Sequence, residues 1–174
     1  MKRALFLDRD GVINASITIN GKPFPPKNID ELVILPKVAE SLKLLHEQNF
    51  ILIVITNQPD VARNTISKET VEDINKYLMA KLCLDKIYTC FHDDSDNCEC
   101  RKPKIGSFLR AAKSYNIDLS ASYMIGDRWK DIEAGKKAGC KTFFIDYGYN
   151  EKKPFDYDYS VKSLYNASQI ILGA

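Results

Sequence analysis

The chain has 174 residues, 45% of them hydrophobic, which is enough for one well-buried domain and short for two. A formal charge of +2 without an arginine-rich run argues against a nucleic-acid partner, and Arg101-Lys102 and Lys152-Lys153 are too short to change that. No apolar stretch reaches the roughly 18 residues of a membrane span, and Asp8 cuts off the run that could have made a signal peptide, so a cytoplasmic protein is expected.

Ala4 to Leu7 reads as a buried strand that ends in two carboxylates, Asp8 and Asp10, followed by Gly11. Residues at i and i+2 of an extended chain share a side, so both acids can face one reacting centre, and Gly11 lets a ligand approach the backbone. The stretch from Asn14 to Leu35, with Gly21, Pro23, Pro25 and Pro26, shows no sustained periodicity and is expected as an irregular functional loop over that strand end. Val38, Leu42 and Leu45 predict a helix from Lys37 to Gln48. Phe50 to Ile55 is an unbroken apolar run, typical of a strand buried on both faces of a parallel sheet, and it stops at Thr56-Asn57-Gln58. A loop from Pro59 leads to Ser67, read as the N-cap of a helix carrying Val71, Ile74, Leu78 and Leu82 on one face.

A third strand, Lys86 to Cys90, enters a cluster of Cys90, His92, Cys98 and Cys100. In a chain with five cysteines and two histidines, that crowding points to metal rather than disulfides. Three thiolates and an imidazole make a closed set of structural zinc type. Cys83 and Cys140 lie in apolar surroundings and are expected as buried thiols. Phe108, Ala111, Ala112 and Tyr115 mark another helix, and Tyr123 to Ile125 a strand ending at Gly126-Asp127. Trp129 to Ala138 reads as a helix closed by Gly139, with Trp129 expected in the packed core. Lys141 to Ile145 is a fifth strand. The tail, 150–174, is less regular; Leu164, Ala167 and Ile171 suggest a short helix docking on the core.

Strands alternating with helices predict an α/β fold with a doubly wound parallel sheet, whose ligands bind outside the carboxyl ends of the strands. That edge gathers Asp8, Asp10, Thr56 and Asp127. With Lys102 they are the parts phosphoryl transfer needs. Asp8 would attack phosphorus, Asp10 would protonate the leaving oxygen and then activate water, and Thr56 and Lys102 would hold the phosphoryl group. Asp127, supported by Asp131, would complete a Mg²⁺ site with Asp8 and Asp10. Singly, each feature has a plainer reading: a turn, a solvated basic patch or a helix cap. Their order, each at a strand end, carries the argument.

Asp8-Arg-Asp-Gly-Val-Ile-Asn, Thr56-Asn-Gln, Arg101-Lys-Pro and Gly126-Asp-Arg-Trp-Lys-Asp131 resemble the four successive motifs of the haloacid dehalogenase superfamily of phosphohydrolases. Cys90-x-His92 and Cys98-x-Cys100 resemble its zinc-loop branch, which contains heptose 1,7-bisphosphate phosphatases and histidinol phosphatases. The resemblance spans roughly Arg3 to Tyr149. It implies a single phosphatase domain with a Rossmann-like core, a short zinc loop at 89–101 and no cap domain. It also implies Asp8 as nucleophile, Asp10 as acid and base, structural Zn²⁺, catalytic Mg²⁺, and substrate contacts from Asn57, Gln58 and Arg101. Arg128 stands between a substrate contact and a solvated helix start.

The expected partner is a small phosphorylated metabolite, and the chain is expected as a monomer. Pro59-Asp60-Val61-Ala62-Arg63-Asn64 replaces the Ser-Gly-Ile-Ala-Arg-Gly common in heptose bisphosphate phosphatases. The retained Ala-Arg pair favours the sugar bisphosphate, whereas the five-residue gap between His92 and Cys98 looks more like a histidinol phosphatase. A phosphoaspartate signalling module is the rival of another class. A general base at Asp10 speaks against it, because it would shorten the life of the phosphoaspartate.

Overall fold

A computed structural model describes residues 1–173. Its axis is β1 (Ala4–Leu7), where Leu5 and Leu7 enter one core and Ala4 and Phe6 the other, so the strand is buried on both faces. The chain continues through β2 (Ile17–Ile19), β3 (Lys22–Phe24), α1 (Val38–Glu47), β4 (Ile51–Asn57), α2 (Lys68–Lys81) and β5 (Lys86–Cys90). It then forms α3 (Gly106–Tyr115), β6 (Tyr123–Gly126), α4 (Trp129–Ala138), β7 (Lys141–Ile145), β8 (Tyr159–Val161) and α5 (Leu164–Leu172).

Six strands make one sheet in the order β5-β4-β1-β6-β7-β8, and every neighbouring pair is parallel. From β1 the chain winds outward through β4 to β5, then returns to the other side of β1 for β6. The winding therefore reverses beside β1, and a crevice opens at its carboxyl end. Helices α1, α2 and α5 send Leu42, Leu45, Ile74, Leu78 and Ala167 into one core, while α3 and α4 send Phe108, Ala111, Ala134 and Ala138 into the other. The doubly wound sheet is thus the one the apolar runs predict. Ser67 caps α2 by accepting from the Thr70 amide at 3.1 Å, and Gly139 ends α4 at φ 88°.

Four expectations need correction. The stretch after Asn14 is not wholly irregular, because β2 and β3 pair as an antiparallel hairpin across Asn20-Gly21. Both turn residues have positive φ, 50° and 75°, which is what a tight hairpin asks of Asn-Gly. A sixth strand, β8, pairs with β7; three residues with Ser160 at the centre left no apolar run to detect. Cys83 is exposed, whereas Cys140 is buried as expected. Trp129 is only half-buried, with the Lys152 ammonium 4.3 Å from its ring centroid, because it opens α4 at the surface rather than facing the sheet. Among the described residues no helix is long and apolar enough to cross a membrane.

Candidate active site

The chain leaves β1 through a closed turn in which the Gly11 amide donates to the Asn14 carbonyl at 2.7 Å and the Ile13 amide to the Arg9 carbonyl at 2.8 Å. Gly11 sits at φ 88°, and a Cβ there would stand 2.0 Å from Asp127 Oδ2, so conformation and close approach both demand glycine. The turn fixes the Asp10 carboxylate, which accepts from Asn14 Nδ2 at 2.9 Å and Gln58 Nε2 at 2.8 Å and pairs with Arg9 Nη2 at 3.2 Å. Arg9 is itself fully buried and donates to Asn75 Oδ1 at 3.0 Å.

Lys102 reaches the same point from the far side, with 2% of its side chain exposed. Its ammonium meets Asp8 Oδ1 at 2.8 Å, Asp131 Oδ1 at 2.7 Å and the Ile55 carbonyl at 2.6 Å, so all three donors are satisfied. Asn57, at the end of β4, grips the Lys102 backbone from both sides: its Oδ1 accepts from the amide and its Nδ2 donates to the carbonyl, each at 3.0 Å. Asp131 also accepts from the Arg128 amide at 3.0 Å, closing the first turn of α4. A Cβ on Gly126 would fall 2.1 Å from Asp131 Cβ, so glycine there lets the acid approach. Thr56 is buried, and its Oγ1 accepts from Gln58 Nε2 at 2.9 Å.

The electrostatics of this centre are unbalanced. Asp8, Asp127 and Asp131 are all buried and offer oxygens within 4.8 Å of one another, against the single Lys102 ammonium. Burial first, and then the charge of Asp131, push Asp8 up to about 6 although Lys102 opposes this. Asp127 is raised well above the usual carboxylate range by burial and by Asp8 and Asp131. Burial disfavours the Lys102 ammonium, but Asp131 and Asp8 outweigh it and hold its pKa above the ordinary value. Asp127 Oδ1 is buried without a partner. A hard divalent cation fits this set: it would fill the orphaned lone pairs and favour the charged carboxylates. The carboxylates gathered there are Asp8, Asp127 and Asp131, whereas that of Asp10 is occupied by Arg9, Asn14 and Gln58.

A cavity of about 280 Å³ opens over these acids. Its rim carries Lys22 from the hairpin, Arg63, Arg101, Asp94 and Lys130. Arg63 grips Asp93 through Nε at 2.6 Å and Nη2 at 2.8 Å, and Asp94 receives Arg101 Nε at 2.7 Å and Lys130 Nζ at 3.2 Å. Both acids belong to the segment between His92 and Cys98. The Arg128 side chain turns from the cavity floor to the Glu151 carboxylate, with Nε 3.0 Å from Oε1.

Cys90, His92, Cys98 and Cys100 converge as the sequence predicts, with ligand atoms 2.7 to 3.6 Å apart along the measured edges. A tetrahedral Zn–S site has edges of about 3.8 Å, so a small outward shift would accommodate the ion. All five cysteines are free. Burial raises the Cys90 and Cys100 thiols, whereas the Arg101 amide and the neighbouring thiols overcome burial at Cys98 and bring it down to about 7. This centre holds the segment that carries Asp93, Asp94 and Arg101.

Asp8, Asp10, Asn57, Gln58, Arg101, Lys102, Asp127 and Arg128 line one crevice, whereas Thr56 is buried against Gln58 and the cysteines and His92 form a separate cluster, a division of labour that spacing did not disclose. Asn57 and Gln58, expected as substrate contacts, spend their amides on Lys102 and Asp10. Arg9, Asn14, Asn75 and Tyr149 escaped sequence reasoning. Asn14 stands inside the quoted first motif and could have been found from its offset of four from Asp10, whereas Tyr149 carries no local signal.

Residues 25–139 match the family model of haloacid dehalogenase-like hydrolases. A D-glycero-β-D-manno-heptose-1,7-bisphosphate 7-phosphatase from Haemophilus ducreyi is 35% identical over 153 residues, covering 81% of each chain. The corresponding α-named enzyme of Campylobacter jejuni is 33% identical over 167 residues, covering 93% of this chain and 91% of its own. Among solved structures, a D,D-heptose 1,7-bisphosphate phosphatase from B. bronchiseptica, complexed with magnesium and phosphate, superposes with a TM-score of 0.80 at 25% identity over 98% of both chains.

Proposed function

This chain belongs to the haloacid dehalogenase-like hydrolase family and is a phosphatase, and from that premise we propose that it is a single-domain, Mg²⁺-dependent enzyme acting on a heptose 1,7-bisphosphate. The observation that carries the mechanism is the buried trio Asp8, Asp127 and Asp131 facing one ammonium. A divalent cation held by Asp8 and Asp127 would neutralise phosphate charge when bound. Asp8 then attacks phosphorus, forming a P–Oδ bond as the bond to the sugar oxygen breaks, and Asp10 gives its proton to that oxygen. In the second half Asp10 takes a proton from water, the water oxygen bonds to phosphorus, and the Asp8–phosphorus bond breaks.

Lys102, held by Asn57, Asp8 and Asp131, supplies the fixed positive charge beside the transferring group, and Thr56, buried with its hydroxyl on Gln58, supports the amide that reaches Asp10. Gln58 and Asn14 orient Asp10. The zinc centre fixes the rim rather than the chemistry, since its four ligands leave no open position. Arg128 lines the cavity with its guanidinium engaged by Glu151, much as that of Arg101 is engaged by Asp94.

Specificity for a second phosphate is supported by the rim. Lys22, Arg63, Arg101 and Lys130 stand there against Asp60, Asp93 and Asp94, an excess of one positive charge that suits an anionic substituent and disfavours the ammonium of histidinol phosphate. The relatives named above act, by their names, on both anomers, so the test must include both. Phosphate release should be measured with Mg²⁺ on α- and β-heptose 1,7-bisphosphate, histidinol phosphate and p-nitrophenyl phosphate. The highest kcat/KM is expected on one of the bisphosphates; a higher value on histidinol phosphate would overturn the substrate and leave the chemistry standing.

A further inference from the structure

The segment after β7 runs as a strap outside the cavity lining, and its alternate residues fasten to the catalytic set from behind. Tyr147 Oη donates to the Gly11 carbonyl at 2.9 Å, Tyr149 Oη to Asp127 Oδ2 at 2.7 Å, and Glu151 receives Arg128 Nε at 3.0 Å. Between them the Asn150 amide donates to the Gly21 carbonyl at 2.8 Å, so the same strap also holds the hairpin. The Tyr147 and Tyr149 rings stack with centroids 5.6 Å apart, which stiffens both hydroxyls.

Asp127 is left with one oxygen engaged and the other, Oδ1, buried and unpartnered. The terminal torsion of an aspartate is soft, so an oxygen aimed at a cation keeps its aim only if its twin is held. Backbone packing at Gly11 crowds the same oxygen without offering it a hydrogen bond. We infer that Tyr149 is the positioning residue of the cation site: its hydroxyl locks Asp127 Oδ2 and thereby presents Oδ1 to the metal. The inference rests on the proposed assignment of Asp8 and Asp127 as cation ligands, and it assigns the strap a role that none of the four motifs includes.

The test is Mg²⁺ binding to the zinc-loaded, full-length protein without substrate, by titration calorimetry, for the native chain, Tyr149→Phe and Asp127→Asn. Loss of a partner behind a metal ligand weakens binding about tenfold or more. Tyr149→Phe should therefore raise the Mg²⁺ Kd by that factor, with the far-UV spectrum of the fold retained and only a modest fall of the unfolding midpoint in Mg²⁺-free buffer, since one buried acceptor loses its donor. The Mg²⁺ concentration giving half-maximal activity should rise in parallel, while KM at saturating Mg²⁺ stays put. If Asp127→Asn abolishes binding but Tyr149→Phe binds within twofold of the native chain, Tyr149 does not position the ligand and the cation assignment stands. If Asp127→Asn binds as well as the native chain, the assignment fails and the inference falls with it.

Discussion

The floor and the rim of the crevice use the same residue types, aspartates against lysines and arginines, to opposite ends. On the floor, Lys102 is 2% exposed and its two carboxylate partners 11% and 3%. At the rim, the Asp94 carboxylate that holds Arg101 and Lys130 is 69% exposed, although the two cations are themselves 10% and 17% exposed and must keep an anionic partner. A buried charge that loses its partner costs about 3–5 kcal/mol, while an exposed pair is worth about 0–1 kcal/mol. The floor therefore cannot rearrange without a substitute charge, which is why its acids are poised for a cation. The rim can exchange a carboxylate for a substrate phosphate at little cost, and it needs an outside staple to keep its shape. Strand ends fix the floor; on the proposed zinc assignment, the cysteine and histidine cluster fixes the side of the rim that carries Asp93, Asp94 and Arg101.

The largest break in that comparison comes from the floor. Asp8→Asn should lower kcat by about a thousandfold or more on every substrate, because it removes the proposed nucleophile, and Asp10→Asn by about a hundredfold or more while allowing phosphoenzyme to accumulate. Rapid-quench detection of acid-stable phosphoprotein would check the second outcome. Near-normal turnover by Asp8→Asn would end the covalent mechanism.

Removing zinc tests the rim next. Purified protein should carry about one zinc per chain by elemental analysis. Stripping it under reducing conditions should lower Tm by roughly 5 °C or more and depress kcat/KM for a bisphosphate more than for p-nitrophenyl phosphate. Equal depression of both substrates would mean that the loop supports the floor as well. Active, zinc-free protein from a careful preparation would remove the staple altogether.

The same contrast governs what could be read from the sequence. The floor was legible because strand ends repeat a local grammar: an apolar run, then an acid or hydroxyl, with glycines where side chains crowd, as at Gly11 and Gly126. The cysteine cluster was legible because its residue types have few other uses in so short a segment. The hairpin was hard to read although Asn20-Gly21 marks its turn, because its strands are three residues long and one of them contains Pro23, which lacks a ladder donor. Neither the Tyr149 bond to Asp127 nor the Asn57 grip on Lys102 could be seen, since they join residues 22 and 45 positions apart with no periodicity between them. Trp129 was misplaced because helix periodicity alone does not say which face of a helix's first turn meets the sheet.

The smallest expected effect sharpens the comparison most, because it separates charge from shape at the rim. Arg101 is 9% exposed, and its guanidinium spans the zinc loop, with Nε on Asp94 and Nη1 3.4 Å from the His92 carbonyl. A lysine at this position keeps the charge but cannot hold both partners and still offer a planar edge to an incoming phosphate. Arg101→Lys should therefore retain full zinc content, leave kcat on p-nitrophenyl phosphate within about twofold, and raise KM for the preferred heptose bisphosphate roughly tenfold, about the worth of one charge-assisted hydrogen bond. If KM rises equally for both substrates, Arg101 serves the transferring phosphoryl group and belongs with the floor. If zinc is lost as well, its first duty is to the loop, and the second phosphate must be read by Lys22, Arg63 or Lys130 instead.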